Sequence, residues 1–465
     1  MSRKKEKILL LIADFLAFNL AWLVHYFIRV KSGIIPSSSP IELLLPMFVI
    51  YLYWLFLFYF FGLYTTWYAK SRFDEFVSIV KTVSFGVFVL FFAIYIDDTS
   101  VGVTGGQRAI ILIYWFVLIL LSGSSRFLIH SVQRGLLLKG IGLKKSLIIG
   151  SPEKSYYLYS QIKKFPALGY EVVGYLRINS NNEIFKFENI KLYSEFSKLP
   201  EIIKEDNIEE VLIAVDSSEH EKLIDILSYC EPFKIGIKIM PEMYDIVSGQ
   251  ARVNQIYGLP LIDLVPPLLP EWERKVKRII DFIIALIILV LFLPFGIIIA
   301  ILIKLDSKGP VFYKQVRVGE NGKEFNIYKF RSMVQDAEKL TGPVWSMPND
   351  PRITRVGKIL RKYRLDEFPN FISVLLGDMS FIGPRPERPF FVEKLSKEIP
   401  LYRRRLRVKP GITGWAQVKH RYDESLEDVK IKLQYDLYYI ENISLRLDFK
   451  IILYTIYTIL FGKGR

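Results

Sequence analysis

The stretch Arg278–Lys304, RIIDFIIALIILVLFLPFGIIIAILIK, decides how this chain meets a membrane. It exceeds the roughly 20 apolar residues that cross a bilayer, so length alone favours an ordinary kinked span. Two features favour another path. Pro294 lies inside the run, where the ring removes a backbone donor and clashes with the preceding turn. Basic residues flank both ends, with Arg274, Lys275, Lys277 and Arg278 before and Lys304 and Lys308 after. If both flanks stay on one surface, residues 278–304 form a re-entrant helix-break-helix that turns at Leu293-Pro294 and returns. Backbone groups freed at the proline then need protein or water as partners.

The residues C-terminal to this run bear on that choice. Beyond Lys304 the chain is polar, basic and dense in short motifs: Gly309–Gly319 (GPVFYKQVRVG), Ile327–Met333 (IYKFRSM), Asp350–Gly357 (DPRITRVG), Leu360–Asn370 (LRKYRLDEFPN), Gly377–Glu387 (GDMSFIGPRPE) and Val408–Val418 (VKPGITGWAQV). Asp366-Glu367 is an acidic pair inside a basic run, after Arg361, Lys362 and Arg364. An isolated Asp-Glu pair is ordinarily solvated surface. Neighbouring cations keep carboxylates ionised and can hold an incoming diphosphate. A carboxylate so placed can attack phosphorus. Two anions must meet in such a reaction, and hard oxygen ligands without a His/Cys cluster suit Mg²⁺. In Pro384-Arg385-Pro386, two prolines fix the backbone around a guanidinium. Lys329 and Arg331 read either as phosphate or anionic-lipid contacts or as a solvated basic face. Asp378 reads either as a second acid or as a helix-end carboxylate.

These segments, in this order, resemble the monotopic phosphoglycosyl transferases, also called bacterial sugar transferases or polyprenyl-phosphate hexose-1-phosphate transferases. The resemblance covers about Glu271–Arg465, and the remainder resembles the large, exopolysaccharide-initiating branch. It implies that Asp366 attacks the sugar-linked phosphate of a UDP-sugar and releases UMP. Polyprenyl (undecaprenyl) phosphate then takes the phosphosugar from the enzyme, which begins an exopolysaccharide, capsule or O-antigen repeat unit. It also implies Glu367 as positioning or proton-handling partner, Arg361 as a phosphate contact, Pro384, Arg385 and Pro386 at the uridine, and Mg²⁺ with Asp366 as a metal contact. Members are embedded from one membrane face only, which supports the re-entrant reading. Tyr363-Arg364 departs from the small hydroxyl residues more usual before Leu-Asp-Glu, and Arg364 adds charge near the site.

Working back to the N-terminus, four apolar runs stand at about Ile8–Ile28, Leu43–Leu63, Phe76–Ile96 and Ala109–His130, each long enough to span. The first is too long and aromatic for a signal peptide and precedes no cleavage site. Asp14, Asn19 and His25 interrupt it and read as satisfied interhelical polar contacts. Basic residues cluster before run one (Arg3, Lys4, Lys5, Lys7), between runs two and three (Lys70, Arg72) and after run four (Arg134, Lys139, Lys144, Lys145). The loop after run three reads Asp97-Asp98-Thr-Ser, without a basic residue before Arg108, while Arg29 and Lys31 after run one dissent. The consistent orientation puts both ends in the cytoplasm. This describes a multi-pass protein of the bacterial inner membrane, with its catalytic domain at the cytoplasmic face.

Between these halves, Ser146–Gly150, Tyr170–Leu176, Glu210–Val215 and Lys234–Met240 read as strands, with helices to about Lys164 and over Glu219–Cys230. Alternating strands and helices predict a parallel, doubly wound, Rossmann-like sheet. The first turn, Gly150-Ser-Pro-Glu-Lys-Ser, has one glycine where the dinucleotide fingerprint needs three, which favours a structural or regulatory module over an NAD site. Pro-rich Leu264–Pro270 (LVPPLLP) reads as a linker. The expected architecture is α plus α/β: four transmembrane helices (1–135), a Rossmann-like domain (136–263) and a catalytic α/β domain (264–465).

Composition narrows the alternatives. Hydrophobic residues at 51% and aromatics at 15% exclude disorder. A single cysteine, Cys230, excludes a disulfide framework and a multi-cysteine zinc site. The net charge of +15 suits anionic lipid and an anionic substrate; a nucleic-acid reader would explain the charge but not the spans. A membrane-bound nucleotide-sugar dehydratase or epimerase shares the front end, but would need a second dinucleotide turn and a Tyr-x-x-x-Lys pair after Glu271. A lipid-docked scaffold leaves the Asp-Glu and Pro-Arg-Pro motifs unexplained. The partners expected are a UDP-sugar, polyprenyl phosphate and the bilayer, with a homodimer left open.

Overall fold

Four apolar helices open the chain, since backbone polar groups in lipid must be bonded within the segment. They are α1 (Arg3–Lys31), α2 (Pro40–Phe60), α3 (Arg72–Val101) and α4 (Ile110–Leu138). The computed structural model describes residues 3–33, 40–65, 72–101, 110–178, 190–215, 220–233, 235–242, 261–335, 337, 350–419 and 425–460. Lys70, Arg108, Glu219 and Lys234 of the sequence reading lie outside these residues. The described residues form two compact units, Met1–Leu223 with Pro232–Pro266, and Ile224–Glu231 with Pro267–Arg465. Five helices are long and apolar enough to cross a membrane, namely the four above and Glu271–Asp306. The chain is an integral membrane protein. One boundary differs from the expectation: α3 runs through Asp97-Asp98-Thr-Ser to Val101, so this stretch is helix rather than loop. Helical hydrogen bonding does not stop where apolarity stops.

Phe18, Trp54, Phe58 and Leu118 pack the centre of the four-helix bundle. Its polar content is larger than the first apolar run suggested. Buried Arg126 on α4 donates to Asp14 Oδ2 at 2.6 Å and lies 3.7 Å from Glu75 Oε1, and Glu75 also pairs with His130. Asp14 is thus bound into an ion cluster drawn from three helices. We expect Arg126→Leu to cost about 3–5 kcal/mol, because two buried carboxylates lose their shared cation. Thermal unfolding in detergent would read this, and Asp14→Asn with Glu75→Gln in the same background should recover part of the loss.

The same unit carries a six-stranded sheet in the order β3-β2-β1-β4-β5-β6. The strands are β1 (Lys144–Gly150), β2 (Tyr170–Arg177), β3 (Lys191–Tyr193), β4 (Glu210–Ala214), β5 (Gly236–Ile239) and β6 (Ile262–Asp263). All neighbours run parallel except β5 and β6. Helix α5 (Pro152–Lys164) follows β1, α6 (Leu199–Glu205) precedes β4, and α7 (His220–Cys230) follows it. This is the doubly wound topology expected from the alternation. The lone glycine of the first turn has a packing cause: a Cβ on Gly150 would lie 2.0 Å from the Ala214 carbonyl oxygen.

The long stretch of the second unit, Pro267–Arg465, has α8 (Glu271–Asp306) as its first helix. Leu293 and Pro294 lie inside this one helix, so the expected turn between two helices is not there. The proline's local cost, about 3 kcal/mol, is outweighed by packing on both sides. Arg278 donates to the carbonyls of Val374 and Leu375 at 2.5 and 2.7 Å, and Asp281 accepts from the Phe381 amide at 3.0 Å. Ala285 packs with Phe325, Ile327 and Val374. Phe292 stacks on Phe368 with centroids 3.9 Å apart. Ile299 and Ile303 pack with Phe330 and Leu360, and Asp306 accepts from the Val356 amide at 3.0 Å. One face of α8 is therefore covered along its length by the body C-terminal to it. That body comprises an antiparallel hairpin of β7 (Phe312–Val318) and β8 (Glu324–Phe330), and a parallel pair of β9 (Ser380–Ile382) and β10 (Gly411–Thr413). Helices α9 (Arg355–Lys362), α10 (Phe371–Leu376), α11 (Pro389–Glu398), α12 (Trp415–Lys419), α13 (Leu426–Glu441) and α14 (Leu445–Leu460) surround them.

Candidate active site

Thr354 caps α9, its hydroxyl accepting from the Gly357 amide at 3.0 Å. The helix ends at Tyr363, and Arg364 adopts a left-handed conformation with φ 55°. This reversal starts a 3₁₀ turn, Leu365–Asn370, which carries both acids. At three residues per turn, consecutive side chains diverge by about 120°, so Asp366 and Glu367 face different surroundings. Phe368 anchors the turn on Phe292, and buried Pro369 and Asn370 close it.

Glu367 is held by two cations. Lys329, on β8, donates to its Oε1 at 2.8 Å, and Arg385 donates to the same oxygen at 2.6 Å. Burial acts to raise its pKa, but Arg385 and Lys329 outweigh burial and hold the carboxyl well below its ordinary range. Asp366 is only 8% exposed, yet no ion pair reaches it among the described residues. Burial raises its pKa, Lys329 and Arg361 pull it down, and the charge of Glu367 raises it further; the net shift is upward. The two neighbours are thus unlike: a locked anion, and a carboxylate with unspent charge. Arg361 is tethered by its Nε to the Ser332 hydroxyl at 3.0 Å.

Arg385 owes its position to a set of residues the sequence reading did not single out. Its carbonyl accepts from Arg405 at 2.9 Å, and the Pro386 carbonyl accepts from Arg317 at 2.9 Å. Arg405 also pairs with Asp436 at 2.8 Å, and Glu387 accepts from Lys432 at 3.0 Å. Basic residues in the stretch Tyr402–Arg407 were the available signal; their partners are distant in sequence. An open surface depression beside them is lined by Pro384, Arg385, Pro386, Glu387, Arg405 and Pro410 among others. Burial raises and Lys432 and Arg405 lower the Glu387 pKa, for a net value of about 2 against an ordinary 4.5. A carboxyl depressed on folding stabilises fully above its unfolded pKa and stops doing so as pH falls through its folded one. Glu387→Gln should therefore flatten the loss of stability between about pH 4.5 and 2, read by unfolding the enzyme across that range.

The remaining residues of the sequence reading separate. Lys329 lies at the acid pair, whereas Arg331 is buried and donates to the Ser307 carbonyl at 2.7 Å, fastening the end of α8. Arg331 is therefore not a solvated face. Asp378 follows Gly377, whose φ of 93° ends α10, and its amide donates to the Ser373 carbonyl at 3.0 Å. That is the helix-end position, and among the described residues no contact joins Asp378 to the acid pair. Arg364 is exposed and Tyr363 is 63% exposed. Among the described residues no group of three or more His, Cys, Asp or Glu is placed to hold a metal. One carboxylate beside substrate phosphates is, however, how Mg²⁺ commonly accompanies nucleotides, and Asp366 fits that lesser demand.

Known proteins resemble this chain in sequence. The chain is 32% identical over 409 residues to the UDP-glucose:undecaprenyl-phosphate glucose-1-phosphate transferase of Xanthomonas campestris pv. campestris, covering 87% of this chain and 84% of that protein. The chain belongs to the bacterial sugar transferase family. The family model, bacterial sugar transferase, matches residues 272–462, which hold α8 and the acid pair. The transferase is 43% identical over 238 residues to the UDP-N-acetylgalactosamine-undecaprenyl-phosphate N-acetylgalactosaminephosphotransferase of Aeromonas hydrophila, covering 51% of this chain and about half, 55%, of that protein. It is 32% identical over 321 residues to the UDP-glucose:undecaprenyl-phosphate glucose-1-phosphate transferase of Escherichia coli K12, covering 68% of each chain. A second family model, CoA-binding domain, matches residues 59–241. The expected resemblance to phosphoglycosyl transferases is thus met, and the dehydratase alternative is not favoured.

Proposed function

We propose that this transferase moves a sugar-1-phosphate from a UDP-sugar to undecaprenyl phosphate through a phosphosugar intermediate on Asp366. The carrying observation is the asymmetry of the acid pair. Glu367 is occupied by Lys329 and Arg385, and among the described residues no ion pair reaches buried Asp366. An Asp366 oxygen attacks the sugar-linked phosphorus, the bond from that phosphorus to the bridging diphosphate oxygen breaks, and UMP leaves with the electron pair. A phosphate oxygen of the lipid then attacks the same phosphorus and expels the carboxylate. Arg361 and Lys329 offset charge on the transferring phosphate, and Arg385 with its flanking prolines meets the uridine in the adjoining cleft. Mg²⁺, held by Asp366 with donor phosphate oxygens, would supply further charge neutralisation.

A half-reaction tests this. Purified enzyme with a UDP-sugar labelled in the sugar, and no lipid, should release UMP and retain label. Undecaprenyl phosphate should then carry the label into organic solvent. Release of UDP in place of UMP would place the cleaved bond elsewhere and overturn the reading.

The acceptor's head group lies at a bilayer surface, so Asp366 belongs at that depth, on the cytoplasmic side where UDP-sugars are. The continuous cover on one face of α8 supports a monotopic path. A helix crossing upright would drag the polar body facing it into hydrocarbon. Single cysteines replacing Arg274 and Lys308, in a Cys230→Ser background, should both react with an impermeant reagent from the cytoplasmic side. Labelling of either from the other side would establish a crossing.

A further inference from the structure

Outside the site, α9 presents a face that the reaction does not use. Its inner side, Gly357 and Leu360, is buried, with Leu360 packed on Ile299 and Ile303 of α8. Its outer side carries Arg355, Lys358, Ile359, Lys362, Tyr363 and Arg364, all exposed. Ile359 and Tyr363 are 58% and 63% exposed, large apolar surface for a helix of 8 residues. No acidic residue occurs between Thr354 and Asp366, and among the described residues no ion pair engages these four cations. Lys362 lies over the Tyr363 ring, 5.4 Å from its centroid.

We infer that this cationic and apolar strip of α9 is a docking surface for anionic phospholipid. The inference rests on the proposal that α8 lies at the bilayer surface, and adds a second point of attachment. Two observations choose the lipid. The first is charge: four cations and no anion complement a negative leaflet, and each such cation near it favours attachment by roughly fivefold. The second is continuity. The Asp306–Val356 bond starts α9 where the apolar surface of α8 ends at Leu305, itself 80% exposed. The strip thus begins at head-group level, where Tyr and Ile settle with the ring hydroxyl in water. Arg364, left-handed at the turn, is exposed beside the strip, while Asp366 two residues on is buried. Docking here sets how deep the nucleophile sits relative to the lipid phosphate.

The test uses the full-length Cys230→Ser protein carrying a spin label at a single cysteine, in nanodiscs. Ile359→Cys reports the strip, Leu305→Cys reports the end of α8, and Lys397→Cys is an exposed reference. Discs of phosphatidylcholine alone are compared with an equimolar mixture containing phosphatidylglycerol. The expected result is a label at 359 that is open to oxygen and shielded from a water-soluble nickel chelate in anionic discs, and less so in neutral ones. Arg355→Glu with Lys358→Glu should return that label to water, while UMP release without lipid acceptor persists. A water-exposed label at 359 in both discs, with a lipid-facing label at 305, would overturn the docking strip and leave the α8 reading standing. A water-exposed label at 305 would sink both. Spin–spin broadening at 359 would assign the strip to a second copy of the chain and equally overturn the inference.

Discussion

Asp366→Asn is expected to release no UMP and to form no phosphosugar adduct, a loss of about 10⁴-fold or more in the donor half-reaction. The amide keeps the shape of the carboxyl and removes the attacking charge. Folding should persist, because no ion pair depends on Asp366 among the described residues and burial disfavours its charge. A wild-type melting temperature with no adduct by mass spectrometry is therefore the expected pair of readings. The pH dependence adds an independent check. Burial, reinforced by Glu367, lifts the pKa above the ordinary 3.8 against the pull of Lys329 and Arg361. The acid limb of UMP release should thus lie at higher pH than for an exposed aspartate, since only the ionised form attacks. An Asn variant that turns over at near the wild-type rate would remove Asp366 from the role.

Glu367→Gln should have the second largest effect, of another kind. Lys329 and Arg385 converge on this carboxylate, and neutralising it leaves two partly exposed cations without their shared anion. We expect a stability loss of about 1–2 kcal/mol, since water screens the partly exposed cations, together with UMP release lowered by about 10²-fold. Burial already lowers the Lys329 pKa against the support of Glu367, so the variant should lower it further. Activity of Glu367→Gln should accordingly decline at alkaline pH earlier than that of wild type, as Lys329 loses its proton. Some adduct should still form, because Asp366 is intact. An unshifted alkaline limb would show that Lys329 does not depend on Glu367.

Local features of this molecule were legible before any coordinates. The acid pair within its basic run, and the strands β1, β2, β4 and β5 alternating with helices, are written in contiguous residues. What escaped the sequence reading depends on distance along the chain. Asp14 showed as a polar residue in an apolar run, but its partner Arg126 is 112 positions away. The residues behind Arg385 are likewise scattered: Arg317 on β7, Arg405 in a later turn, Lys432 and Asp436 on α13. Pro294 misled in the opposite sense. A rule about local backbone predicted a break, and tertiary contacts on either side keep the helix continuous.

The stack of Phe292 on Phe368 has a consequence for anyone who wishes to make this enzyme water-soluble. Phe368 sits two residues after Asp366, and its ring lies against a side chain of the apolar helix, with Arg278, Asp281 and Asp306 bracing the same body from the helix ends. Deleting α8 would remove a wall of the catalytic body rather than a detachable anchor. A secreted or cytosolic version would have to keep α8 and repaint its lipid-facing side with polar residues, leaving the inward residues Arg278, Asp281, Ala285, Phe292, Ile299 and Ile303 as they are.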